Sequence, residues 1–130
     1  MQKQFEQLKE WADVMKAYHN DIPTGEIPWD THRMRFDTLL EEVYEYEEAA
    51  REGDVVQVAD ALCDALYFLL GTIHAHGLQD VFEKCFDEVH RSNMSKCQPD
   101  GTIIYREDGK VLKPSTYSPP NLRDIIYEAK

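Results

Sequence analysis

The stretch LLEEVYEYEEA (residues 39–49) is followed eleven residues later by DALCDALY (residues 60–67), and the fold turns on how these two are read together. The first sets five glutamates among apolar side chains, and the second sets two aspartates into an otherwise apolar run. A carboxylate taken out of water costs free energy unless something pairs with it. At 100° per residue, Leu39, Val43, Tyr46 and Ala50 form an apolar stripe, with Glu41, Glu42 and Glu45 in one arc beside it. Glu42 is nearest the stripe, Glu47 lies on its other shoulder and Glu48 points toward solvent. The second segment belongs to a helix, expected from Asp54 to about His76, that is apolar around most of its circumference, the pattern of a buried helix. Its one polar strip holds Gln57, Asp60, Asp64, Tyr67 and Gly71. In an antiparallel pair of helices this strip faces the glutamate arc.

Five carboxylates brought together either hold protons or share cations. An oxygen-only donor set suits hard ions, Mg²⁺ or Mn²⁺, with Glu41, Glu42, Glu45, Asp60 and Asp64 as candidate ligands. Glu42, beside the apolar stripe, is the best placed for a raised pKa and so for a general base. The bland readings are solvated glutamates at 47, 48 and 52, and buried hydrogen-bonded aspartates at 60 and 64. Against the latter, neither aspartate has a nearby Lys or Arg in sequence.

Outward from this pair, the chain reads as one all-α domain. A first helix is expected over about 2–19, with Phe5, Leu8, Ala12, Met15 and His19 as its stripe. A Pro- and Gly-bearing loop covers 20–30. The second helix starts near Asp30 or Thr31 and stops at Gly53. Asp54 caps the third, which stops at Gly77, and a fourth covers about 79–92 with Val81, Phe82, Cys85 and Val89 on its apolar face. These four make an antiparallel bundle over residues 1–93. Residues 94–130 form an arm, with a hairpin around Asp108-Gly109 (strands 102–106 and 110–113), a Pro-rich stretch and a short helix over 121–129.

The 130 residues carry a formal charge of −11. Residues 41–64 hold nine acidic side chains (Glu41, Glu42, Glu45, Glu47, Glu48, Glu52, Asp54, Asp60, Asp64) against Arg51. Residues 91–113 hold Arg91, Lys96, Arg106, Lys110 and Lys113 against three acids, Asp100, Glu107 and Asp108. So acidic a chain is a poor partner for polymeric nucleic acid. Dense acid beside a basic arm fits a small anion bridged by metal. Cys63, Cys85 and Cys97 make no CxxC pair, which points to a reducing, cytoplasmic setting. The polar start is not a signal peptide, and no apolar run reaches the length of a membrane span.

The Glu41-Glu42-x-x-Glu45 cluster followed by DALCDALY resembles the all-α nucleoside triphosphate pyrophosphohydrolases. YHNDIP (18–23), VHRSNMSK (89–96) and DGKVLKP…YSPP (108–120) resemble the phosphoribosyl-ATP pyrophosphatase-like branch of that MazG-like superfamily. One departure stands out: the family's ExxD motif finds Ala61 three residues before Asp64 and Gln57 three before Asp60, so Asp60 and Asp64 must replace that pair. The resemblance implies Mg²⁺-dependent cleavage of the α–β bond of a nucleotide to a monophosphate and pyrophosphate. It implies phosphate contacts from Lys96, Arg91, Lys110 or Lys113, a donor to phosphate or sugar in Asn93, and Tyr117 or His19 over the base. It also implies a homodimer or homotetramer, with residues 94–120 covering a neighbour's site.

Bland readings stand beside these. Asn93 and Lys96 end a helix, where both types are favoured, and Lys110 suits a solvated turn. An acidic helical module with no catalytic role is one alternative. A di-iron bundle is another, but it needs two Glu-x-x-His motifs, and the nearest approach is Asp87-x-x-His90. A zinc site from His74, His76, Cys85, His90 and Cys97 is weaker, because His74 and His76 diverge on one helix.

Overall fold

The structure is a computed structural model that describes residues 1–128; Ala129, the end of the expected final helix, lies outside the described residues. Five helices form: α1 (Gln2–Met15), α2 (Trp29–Glu52), α3 (Val55–Ala75), α4 (Phe82–Met94) and α5 (Leu122–Glu128). The chain is all-α, and it divides into two compact units, Met1–Gln79 and a second that begins at Asp80.

In the first unit, α3 packs against both α2 and α1. The α2–α3 turn is tight for local reasons. Gly53 closes α2 in the left-handed region (φ 70°), where a side chain is strained. Asp54 then starts α3 by accepting from the amides of Val56 (3.0 Å) and Gln57 (3.3 Å). Small side chains, Ala49 on α2 and Ala61 on α3, are buried, so the two backbones approach closely.

Three expectations change here. First, α1 ends at Met15, one turn short of His19. Lys16 takes the left-handed conformation (φ 53°), and the Ala17 amide bonds back to the Ala12 carbonyl at 2.9 Å, which is a Schellman closure without its glycine. Second, the stripe of α2 is not its inner face. Val43 and Tyr46 are exposed, while Thr31, Arg35, Thr38, Leu39, Glu42 and Ala49 are the sheltered positions. Third, α3 is apolar all round but is not buried all round. Its C-terminal half supplies Leu70, Ile73, His74 and Ala75 to the interior, whereas Val55 and Val56 are 76% and 70% exposed. At 21 residues, α3 is also long and apolar enough, by length and composition alone, to cross a membrane. The expectation that nothing reaches that length is corrected to that extent; Asp60 and Asp64 interrupt the run.

In the second unit, α4 packs on α5 and buries Val81, Cys85 and Ser92. The expected hairpin is reduced to one isolated antiparallel bridge, Tyr105 to Val111, flanked by Arg106 N to Lys110 O and Leu112 N to Ile104 O, both 2.7 Å. The Asp-Gly turn forms, with Gly109 at φ 84°, but no strand does among the described residues. A two-stranded ribbon without a third strand is marginal. The three cysteines are free.

Lys16 places a Cβ where glycine is preferred. A left-handed L-residue costs about 1–2 kcal/mol, offset in part by the greater unfolded freedom of glycine. Lys16→Gly is therefore expected to stabilise the protein by roughly 0.5–1 kcal/mol in urea unfolding. A destabilised variant would show that the Lys16 side chain contributes more than its strain costs.

Candidate active site

The α2–α3 contact carries the carboxylates. Glu42 sits on the inner face of α2, one turn before Glu45 and two before the buried Ala49. Asp64 lies one turn beyond the buried Ala61 on α3. Because the two alanines let the helices close up, one carboxylate oxygen from each of Glu42, Glu45 and Asp64 lies within 4.8 Å of the others. Oε2 of Glu42 is buried with no hydrogen-bond partner. The carboxyl of Glu42 is pushed above its ordinary range, first by burial, then by the hydrogen bond it shares with Glu45 and by the charges of Glu45, Asp64 and Glu41.

Of the five carboxylates read from the sequence, three converge. Glu41 is exposed at the edge, close enough to raise Glu42. Asp60 turns into an adjoining acidic cleft with Glu45, Glu48, Glu52 and Gln57. One turn along α3 from Asp64, a second cleft of about 280 Å³ opens among α1, α2 and α3, walled by Trp11, Tyr18, Met34, Tyr67, Phe68 and His74.

Arg35 lies in that second cleft, and the sequence reading missed it. Its guanidinium sits 5.0 Å from the centroid of Phe68, and its Nε is buried without a partner. Burial lowers its pKa. Gly71 makes the room: a Cβ there would stand 2.7 Å from Arg35 Nη1. The available signal was spacing, since Arg35, Glu42 and Ala49 repeat every seven residues along one face of α2.

The remaining predicted residues fall elsewhere. His19 stacks on His74, with ring centroids 4.8 Å apart. The pKa of His74 is lowered, chiefly by burial and then by His19. In the second unit, Arg91 grips Glu88 through two nitrogens and donates to the Pro119 carbonyl. That pairing, with the Asn121 amide, holds the Glu88 carboxyl down to about 2. Lys96 donates to the Asn93 side chain at 3.0 Å. Lys113 lies over the Tyr117 ring at 4.8 Å. The Lys110 amide closes the turn on Asp108.

A helical hairpin that presents clustered carboxylates beside an aromatic, arginine-bearing cleft is the centre of this all-α chain. The family model for phosphoribosyl-ATP pyrophosphohydrolase matches residues 6–93, and the chain belongs to that family, within the MazG-like all-α nucleoside triphosphate pyrophosphohydrolase superfamily. A comparison with curated proteins finds no match. The family places the chain among nucleotide pyrophosphohydrolases. The matched span contains the carboxylate cluster and Arg35, and it ends before Lys96, Lys110, Lys113 and Tyr117.

The raised pKa of Glu42 has a consequence for stability when no metal is present. The native state holds this proton above 4.5, the ordinary value, while the unfolded state releases it. The native state therefore binds more protons, and this contribution declines as pH rises from 4.5 through the raised value. In chelator, the stability difference between Glu42→Gln and wild type should grow in favour of the variant as pH rises from about 4.5 to 8. Parallel curves from urea unfolding would exclude a titrating Glu42.

Proposed function

We propose that this chain is a divalent-metal-dependent nucleotide pyrophosphohydrolase that cleaves the α–β phosphoanhydride bond of a nucleoside triphosphate or related nucleotide, giving a monophosphate and pyrophosphate. The observation that carries this reading is the unpartnered, buried Oε2 of Glu42 among the carboxylates of Glu45 and Asp64. Such a group is costly unless a proton or a cation meets it. The donor set is oxygen only and fits Mg²⁺ or Mn²⁺, held by Glu45 and Asp64 with Glu41 at the edge, while Glu42 faces the same space as the base. It contains no histidine, which separates it from a di-iron centre built on Glu-x-x-His. When bound, the ion supplies positive charge that offsets the phosphate oxygens and the leaving pyrophosphate.

The chain's own residues do the rest. Glu42, with its raised pKa, takes the proton of the attacking water at a carboxylate oxygen. The water oxygen bonds to the α-phosphorus, and the bridging oxygen leaves with pyrophosphate and the bonding electron pair. Trp11, Tyr67 and Phe68 offer apolar ring surface to the base, one turn along α3 from Asp64. Arg35 offers N–H donors at the same end.

Family membership favours this reading over an acidic module without catalysis. The exposed apolar residues of α2 and α3, among them Val43, Tyr46, Leu62, Leu66 and Leu69, support self-association as a homodimer or homotetramer, because patches this continuous mark interfaces. Light scattering is expected to show an oligomer. A fully active monomer would overturn it.

Glu42→Gln keeps shape and loses basicity. It should lower turnover by roughly 10²–10⁴-fold while metal and nucleotide still bind. Asp64→Asn should weaken metal binding first, and added Mg²⁺ should restore part of the rate. If metal rescues Glu42→Gln and not Asp64→Asn, the two roles are reversed.

A further inference from the structure

A second cluster lies at the opposite end of α3 from its Asp54 cap. Residues 17–24 run back over the end of α3 and are tied at five points to its last turn and to the residues just beyond it. The Asn20 amide donates to the His74 carbonyl (3.1 Å), and the Asn20 side chain donates to the Ala75 carbonyl (2.7 Å). The Thr24 amide donates to the His76 carbonyl (2.9 Å), while His76 Nδ1 bonds the Thr24 carbonyl (2.9 Å) and Gln79 bonds the Asn20 carbonyl (3.1 Å). Gly77 permits this approach, since a Cβ there would collide with the Ile22 carbonyl. Positions 19 and 21 flank the most heavily tied residue, so their side chains leave a fixed backbone.

Those side chains meet His74. One ligating atom from each of His19, Asp21 and His74 lies within 4.8 Å of the others, and the two rings lie side by side, 30° from parallel. His19 Nδ1 stands 3.2 Å from the Ala17 carbonyl. In that tautomer Nδ1 donates to the carbonyl and Nε2 keeps its lone pair, the arrangement that orients a metal-binding imidazole.

We propose that His19, Asp21 and His74 form a transition-metal site, taking a borderline ion such as Zn²⁺ or Co²⁺ and fastening the 17–24 segment to the end of α3. Two imidazoles and a carboxylate leave one position of a tetrahedron open. The set is mismatched to Mg²⁺, which prefers oxygen throughout, so the site is chemically distinct from the Glu42, Glu45 and Asp64 cluster. His74 also walls the aromatic cleft, so an ion here fixes one edge of that cleft. His76 takes no part: the ligating atoms that lie together are those of His19, Asp21 and His74, and His76 instead bonds the Thr24 carbonyl through Nδ1.

Co²⁺ gives the test, because nitrogen ligation at low coordination number produces visible d–d absorption. The full chain is titrated with Co²⁺ in excess Mg²⁺, which occupies the carboxylates. One Co²⁺ per chain, displaced by Zn²⁺, is expected, together with a rise in melting temperature. His19→Gln and Asp21→Asn are exposed changes with little folding risk. Each should weaken Co²⁺ binding by at least roughly 10–100-fold, the loss seen for removing even an outer partner of a ligand. The double variant Glu45→Gln, Asp64→Asn should keep the Co²⁺ spectrum unchanged. Absence of Co²⁺ binding in excess Mg²⁺, binding untouched by His19→Gln and Asp21→Asn, or loss of the spectrum in the carboxylate variant would each overturn the proposal, and the His19–His74 stack would then be packing alone.

Discussion

The mutual repulsion of carboxylates at a close helix–helix contact is the constraint on which the first unit depends. Ala49 and Ala61 let α2 and α3 approach, and that approach forces Glu42, Glu45 and Asp64 together. Larger residues at the two alanine positions would spread the acids and relieve the repulsion, but they would also open the groove. The sequence instead places small residues where the helices touch and acids one turn away. A fold that accepts such a cost in a contact it could have made apolar has a cation or a proton to complete it.

The same choice leaves the chain short of interior. Among the described residues no large side chain is fully buried, while apolar residues on both long helices stand open. An amphipathic helix gains most of its stability from burying one face. Here α2 turns a polar, carboxylate-bearing face inward and keeps its apolar stripe outward. The helix thus has two unlike sides, one that gathers carboxylates and one that leaves apolar side chains exposed.

This division explains what was legible in the sequence. Apolar periodicity located α1 to α4, and Gly53, Asp54 and Gly77 marked the ends where special backbone geometry has a residue signature. Helix projection put Glu42, Glu45 and Asp64 on facing strips, because at 100° per residue that angle follows from position alone. It did not reveal that Val43, Tyr46 and Ala50 of the α2 stripe stay exposed while Leu39 alone is sheltered, since helical projection gives relative angles and not which arc meets a neighbour. The stop of α1 at Met15 was not legible either, because Lys16 adopts a glycine conformation without being glycine. His19 was displaced from helix to loop for that reason, and its pairing with His74, fifty-five residues away, depends on backbone ties that no local pattern announces. Asp60 and Asp64 share a strip, yet they part company at the contact because a turn of helix separates them and only Asp64 lies within reach of Glu42.

Arg35 completes the electrostatic logic of the groove. Along one face of α2, seven residues apart, stand a sheltered guanidinium and a sheltered carboxyl, each with a buried polar atom that the chain leaves unpaired. Partial burial works in opposite directions on the two, lowering the pKa of Arg35 and raising that of Glu42. Burial thus disfavours the charge of each, while the guanidinium stays cationic, and a bound molecule that supplies the missing partner offsets that cost. At the Arg35 end that partner must bring acceptors and tolerate aromatic walls. At the Glu42 end a proton or a cation supplies it. The nucleotide proposed above would meet both conditions in one molecule, since a base carries ring faces and acceptor atoms and a polyphosphate attracts cations. The spacing of the two unpaired atoms along α2 then acts as a length requirement: ligands too short to reach from the aromatic cleft to the carboxylates can relieve only one of them.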